Sequence, residues 1–306
     1  MKSAIGEGAV GKSAVGKPVV LTAVLVAGAM AAIYAAAPVT RTVYATVTDS
    51  KGAFVSDLVP ADLIVKEGGR ERPITSVAVS KTPIRVAVLI EQGLVGDTSL
   101  RQGLFKFAQR VHDNATIALF VVSRRNVMVV DYTSDLQLLA KTIDDLGISS
   151  VQLDENLADG VFDAAKNLEK SESGRRVILV LGIERPMATG QSVDQILDEV
   201  RKSSALFYAA TLTGGRYADL NSSNALEMSG LDRVLGDGAK QSGGRRVESA
   251  VSMGFQTVLP GFAEELMHQY EITYEIPDGT KLDSRLSISA KRSGLSVRAA
   301  SRIPDK

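Results

Sequence analysis

The chain is 306 residues long, 45% hydrophobic, and carries 35 Lys+Arg against 35 Asp+Glu. That length holds two domains, or one domain with an appendage and a leader. The balanced charge, with no basic cluster interleaved with aromatics, excludes a nucleic-acid binder, and the absence of cysteine removes disulfides, thiolate nucleophiles and Cys-ligated zinc.

Residues 1–37 read as a signal peptide or membrane anchor. Lys2, Lys12 and Lys17 precede an uncharged run from Val19 to Ala37 in which Thr22 and Tyr34 are the polar groups. A basic segment before an apolar stretch marks export, with the positive end retained in the cytoplasm. Ala35, Ala36 and Ala37 supply small residues for cleavage, whereas Pro38 is awkward directly after a cut. Two export readings therefore stand, a cleaved signal or an anchor held in the inner membrane by residues 19–37, beside the alternative of a buried soluble helix. Both export readings place the rest outside the cytoplasm, periplasmic or secreted.

Gly6 to Ser13 matches the phosphate-loop pattern G-x-x-x-x-G-K-[ST]. That chemistry needs a buried strand in front and a helix behind to aim the loop. Met1 to Ile5 is too short and polar for the strand, and Gly16-Lys17-Pro18 interrupts the helix, so the match is set aside.

Residues 38–82 read as a small β region. Val43 to Thr48 alternates apolar and polar, the period of a half-buried strand, and Asp49 to Gly52 reads as a turn. Leu63 to Val65 and Ile74 to Val79 are further strands, separated by Gly68-Gly69.

From Pro83 to Ile276 strands alternate with helices, which favours a mostly parallel sheet covered on both faces. Ile84 to Gln92 is a nearly unbroken apolar run, the signature of a buried parallel strand. Asp97 caps a helix carrying Leu100, Leu104, Phe107 and Val111. Thr116 to Val122 and Val127 to Asp131 are joined so tightly that they must be antiparallel neighbours. Asp135 caps a second helix, and Leu157 to Leu168 forms a third. Val177 to Leu181 is a strand, Ser192 opens a helix, and Leu206 to Thr211 is another strand. Leu212 to Gly244 is Gly/Ser/Asn-rich and predicts loops with one poorly defined helix. A helix near Phe262 to His268 then leads into Tyr270 to Ile276 at strand period. Residues 277–306 predict a tail hairpin, Leu286 to Ala290 and Leu295 to Ala299 joined around Ser293-Gly294, that extends the sheet or rejoins the amino-terminal β region.

This order of elements resembles the von Willebrand factor type A (vWA) domain, and more closely the VWFA-related proteins typical of Acidobacteria. The residues that carry the resemblance are Val43 to Gly52 (V-x-V-T-D-x-x-G), Leu58 to Gly68 with Asp62, Val65 and Glu67, Gln269 with Tyr270 and Tyr274, and Ser242-Gly243-Gly244-Arg245. It covers about Thr40 to Arg302. It implies a three-layer, doubly wound, Rossmann-like fold with a small all-β appendage and a leader helix.

In that family the carboxyl ends of the strands often hold Mg²⁺ or Mn²⁺ through D-x-S-x-S, a distant Thr and a distant Asp, hard oxygens at near-octahedral distances. Here the D-x-S-x-S pattern falls on Glu91-Gln92-Gly93-Leu94-Val95, the Thr near Asn156, and T-D-G on Gly182-Ile183-Glu184. All three depart from the pattern, which implies a degenerate metal site and no cofactor. A rebuilt site would draw on Glu91, Asp154, Glu155 and Glu184.

An enzyme finds little support. His112 and His268 lie in no nucleophile context, and no G-x-S-x-G or H-E-x-x-H occurs. Glu155, Asp159 and Asp163 share a helical spacing that a solvated face explains. The expectation is a non-enzymatic module for protein partners, bound through the strand-end edge formed by Glu91, Gln92, Gly93, Asp97, Thr98, Asp154, Glu155, Asn156 and Glu184. The membrane is a further partner through the leader if it is uncleaved. The alternatives are a metal-dependent adhesion or sensing domain with substituted ligands, and a hydrolase.

Overall fold

The structure is a computed structural model that describes residues 39–123, 126–147, 157–172, 174–184, 189–213 and 222–305, with side chains from residue 230 in the last stretch. The leader, and with it the expected leader helix, lies outside the described residues, as do Asp154, Glu155 and Asn156. Among the described residues no helix is long and apolar enough to cross a membrane.

In sequence order the elements are β1 (Val39–Thr48), β2 (Leu63–Glu67), β3 (Arg70–Arg72), β4 (Ile74–Val79), β5 (Ile84–Glu91) and α1 (Thr98–Val111). There follow β6 (Ala115–Val122), β7 (Val127–Thr133), α2 (Leu136–Asp145), α3 (Leu157–Glu169), β8 (Arg175–Ile183), α4 (Val193–Ser203) and β9 (Leu206–Leu212). The last elements are α5 (Ser222–Ser242), β10 (Arg245–Ser249), α6 (Phe255–Met267), β11 (Tyr270–Ile276), β12 (Leu286–Ala290) and β13 (Ser296–Ala299).

The apolar run at β5 lies at the centre of a six-stranded sheet of order β10-β9-β8-β5-β6-β7. It is hydrogen-bonded in parallel to β6 and β8, and β7 is antiparallel to β6 as its short connection requires. Both faces of β5 are covered, which is why its sequence does not alternate. Val86, Val88 and Ile90 enter a core shared with α1, α2 and α6. Ala87 and Leu89 enter the opposite core, shared with α3, α4 and α5. Three layers follow from one strand whose successive side chains point to opposite faces. This is the doubly wound, mostly parallel architecture expected from the sequence.

The remaining strands form two small sheets, β13-β1-β11-β4 and β12-β2-β3, around a third core of Val43, Ala45, Val47, Val65, Ile272 and Tyr274. β11, at the carboxyl end of the expected α/β region, pairs with β1 and β4. The two terminal strands do not form the expected hairpin with each other. β12 pairs antiparallel with β2, and β13 with β1, so the tail rejoins the amino-terminal strands in two different sheets. The turn at Ser293-Gly294, with Gly294 at φ +76°, lies between them, but no hydrogen-bonded ladder joins β12 to β13.

Two further expectations are corrected. The poorly defined helix expected among loops in Leu212 to Gly244 is the 21-residue α5, which fills most of that stretch. Leu231, Val234, Leu235 and Ala239 line its inner face at helical spacing. Gly238 lies on the same face, where a Cβ would meet the Phe207 ring at 3.5 Å, an ordinary contact. The last helix begins at Phe255, seven residues before its expected start, because burial of Phe255 and Leu259 outweighs the internal Pro260.

The tyrosines record this packing electrostatically. Burial pushes the Tyr132 phenol up to about 12, and burial is likewise the main cause that raises Tyr44, Tyr208 and Tyr274. An unfolded phenol ionises near pH 10. A raised folded value means that the native state keeps its protons longer, so stability is intact below pH 10 and falls as pH rises toward and beyond 12. The expected result is a melting temperature that declines through this window, with 295-nm phenolate absorbance appearing together with loss of native circular dichroism. Ionisation of all the tyrosines near pH 10 with a native spectrum would contradict it.

Candidate functional site

The carboxyl ends of β5, β6, β8, β9 and β10 point the same way, and Glu91 ends β5. In open parallel sheets this is the edge where ligands collect. Glu91 is 1% exposed. Its side chain crosses to the neighbouring strand, where Oε2 accepts the backbone N–H of Ile183, which is among its partners. Gly182 makes that crossing possible, since a Cβ there would lie 3.0 Å from Glu91 Oε2 and would overlap the Leu157 side chain. A buried carboxylate must find such donors, because its desolvation costs several kcal/mol and a charged hydrogen bond returns only about 1.5–3 kcal/mol.

The positions that follow turn inward instead of offering oxygens. Gln92–Leu94 is a single 3-10 turn, and Leu94 and Val95 are buried in the core shared with α1. Gly93 is exposed and has no side chain to offer. Asp97 is committed as the cap of α1, its Oδ1 accepting the Leu100 N–H at 2.8 Å, and Thr98 opens the helix on the surface. Capping explains the acidic residue at this place without a ligand.

Glu184, just beyond β8, is held by its neighbours. Its Oε1 accepts the Thr211 hydroxyl at 3.0 Å and Arg246 Nη2 at 2.8 Å. Arg246 also pairs with Asp232 at 2.5 Å and Glu248 at 3.1 Å. At the other side Asp159, at the start of α3, accepts the Thr189 hydroxyl, and Asn126 donates to Asp163 at 2.7 Å, tying the β6–β7 connection to α3. Thus Glu91 and Glu184 close adjacent strands, but each is directed to protein donors.

A hard divalent cation needs several oxygens free to converge on it. Here one candidate carboxylate is taken by a backbone amide, both hydroxyl positions are apolar or lack a side chain, and the Asp position holds Ile183, which packs against the core. These residues do not fit such an ion. Among the described residues no group of three His, Asp or Glu comes together as a ligand set. The two histidines occupy structural places. His112 is the C-cap of α1, and His268 ends α6, where its ring stacks on Phe54 with centroids 4.7 Å apart.

Sequence reasoning missed the outer part of this edge. β10 escaped notice because Arg-Arg-Val-Glu-Ser is polar, as suits an edge strand with one neighbour. Its sequence signal was the preceding Gly243-Gly244. Beyond its carboxyl end Val251 is 61% and Met253 70% exposed, the most exposed large apolar side chains among the described residues. The Gln256–Ser99 hydrogen bond at 3.2 Å joins this segment to the start of α1. The strand-end edge therefore carries an apolar protrusion beside a polar, internally paired rim.

No protein-family model matches the sequence, and no curated protein sequence matches it. Solved structures do. Proximal thread matrix protein 1 from the mussel byssus is 12% identical with a TM-score of 0.45, over 66% of this chain and 49% of that one. The chain thus spans about half the length of that mussel protein. BatB from Bacteroides thetaiotaomicron is 13% identical with a TM-score of 0.44, over 60% of this chain and 98% of that one. The pilus adhesin SpaC from Lactobacillus rhamnosus GG is 8% identical with a TM-score of 0.45, over 73% and 44%.

Proposed function

We propose that this protein is an exported or membrane-anchored, non-enzymatic interaction module of vWA type. It meets protein partners through the strand-end edge without a bound divalent cation. The observation that carries the reading is the burial of Glu91 with its oxygen on the Ile183 amide. A side chain that elsewhere would present an oxygen to an ion is here part of the scaffold beneath the edge. Val251 and Met253 supply the desolvatable surface that a protein contact needs at its centre, and Gly93, Thr98 and Glu184 lie on the same edge. The basic residues ahead of the apolar run 19–37 support export.

Calorimetric titration of the purified protein with Mg²⁺, Mn²⁺ and Ca²⁺ tests the metal-independent reading. No saturable heat is expected, and Glu91→Gln should lower stability by about 1–2 kcal/mol through the weakened amide contact. A saturable heat that Glu91→Gln abolishes would refute this reading in favour of a substituted metal site. The interaction itself is tested by crosslinking from a photoreactive residue at position 253 in the presence of EDTA. A single discrete adduct is expected there, and no adduct from the same group placed at Lys281, in the connection between β11 and β12.

A further inference from the structure

At the opposite pole, beside the amino ends of β8 and β9, lies a cavity of about 250 Å³. Its walls come from β1, α4, α5 and the tail after β13. Four of its lining side chains, Val43, Val200, Leu206 and Ile303, are apolar and themselves buried against the surrounding cores. Arg41, Arg201 and Arg302 also line it. We propose that this cavity binds a medium-chain monocarboxylate, with its alkyl tail among the apolar residues and its carboxylate on Arg201 and Arg302.

The volume sets the size of the occupant. At roughly 30 Å³ per water-sized group it holds about eight such groups, below the range of nucleotides and drug-sized ligands. An apolar wall of this extent gives water few partners, so a hydrocarbon tail is favoured there. The charge at the mouth sets the head group. Arg41 is already engaged, donating to Glu67 at 3.3 Å and to the Pro304 carbonyl at 2.8 Å. Arg201 and Arg302 line both the cavity and a neighbouring polar groove. Arg201 pairs with Asp198 at 3.0 Å within α4, but only at 3.7 Å with Asp305, which is 60% exposed. The hydrogen bond from the Arg302 side chain is a long one, 3.5 Å to Ser284 Oγ. An incoming carboxylate can displace the loose Asp305 contact and take the forked geometry that guanidinium groups offer. Asp198, already on Arg201, and Asp305 beside it leave little positive charge to spare, so a singly charged head is favoured over a phosphate ester.

The site is distinct from the strand-end edge, so its test does not depend on the interaction reading. The full-length protein is titrated calorimetrically with octanoate, octanol, butyrate and octyl phosphate at fixed pH and salt. Octanoate is expected to bind one per protein molecule, and the other three at least tenfold more weakly. Arg302→Gln and Arg201→Gln should each weaken octanoate five- to twentyfold; Arg302 is exposed and its variant should keep the native circular dichroism, which makes it the decisive one, since Arg201 is only 21% exposed. No saturable octanoate heat would overturn the proposal. So would equal affinity for octanol, tighter binding of octyl phosphate, or octanoate binding indifferent to both arginine variants.

Discussion

Gly244→Ala is expected to destabilise the protein by about 3 kcal/mol or more, a larger loss than a surface glycine would give. Gly244 lies where the backbone leaves α5 and enters β10, and there it presses directly on β9. A Cβ at this position would overlap the Phe207 carbonyl oxygen and lie 2.6 Å from its carbon. Both atoms belong to a strand hydrogen-bonded on each side, so neither can move aside without breaking the ladder. Gly243, one residue earlier, turns at φ +84°, and a Cβ there would lie 2.5 Å from the Ala299 carbonyl carbon. Ser242 completes the crossing, its hydroxyl accepting the Phe207 N–H at 2.9 Å. For a protein of this size each kcal/mol shifts the melting temperature by about 2–4 °C, so Gly244→Ala should melt roughly 6–12 °C lower. Gly52→Ala is the comparison. It also has positive φ, +81°, but nothing lies within 4 Å of its Cβ, and the cost should be about 1 kcal/mol. Equal melting points for the two variants would show that close approach is not what selects glycine at 244.

That crossing also shows which parts of the architecture could be read from residues alone. β5 was legible because a strand buried on both faces must be apolar throughout. Helices capped by Asp97, Asp135 and Ser192 were legible because each cap precedes a regular apolar stripe. β10 was not, since an edge strand needs little apolar surface, and α5 was legible only as a poorly defined helix because surrounding Gly, Ser and Asn residues mask the stripe Leu231, Val234, Leu235 and Ala239. The partition of β12 and β13 between two sheets was hidden for another reason: strand partners far apart in sequence leave no local mark. The site was half legible. Loss of the hydroxyl positions could be seen in Gly93 and Val95, but the Ile183 amide that Glu91 turns to, and the exposed Val251 and Met253, depend on tertiary placement.

The residues behind the family resemblance prove to be joints, and this leads to the second large effect. Asp49 caps its turn through the Lys51 and Ala53 amides at 2.8 and 2.9 Å. Gln269 accepts from the buried Arg175 at 2.8 Å and donates to Tyr208 at 3.2 Å and to the Thr46 hydroxyl at 3.3 Å, linking β1 and the start of β11 to β8 and β9. Glu67 does the same for the small sheets. It is fully buried and accepts from Tyr274 OH at 2.8 Å, the Asp283 amide at 3.0 Å and Arg41 at 3.3 Å. Glu67→Ala is therefore expected to cost about 3–5 kcal/mol, because it strands a buried phenol and an amide and takes the counter-charge from Arg41, which keeps the Pro304 carbonyl. Glu67→Gln keeps the shape and an acceptor, and should cost about 1–2 kcal/mol; Tyr274→Phe removes one donor and should cost about 1 kcal/mol. Since Arg41 also donates to Pro304 and Asp283 begins the approach to β12, amide exchange at residue 283 should speed up most in Glu67→Ala. A double-mutant cycle of Glu67→Gln with Tyr274→Phe should give a coupling above about 0.5 kcal/mol. Additive losses, or an alanine variant as stable as the glutamine one, would mean that the carboxylate merely fills space between the small sheets and that the tail is held by its strand pairing alone.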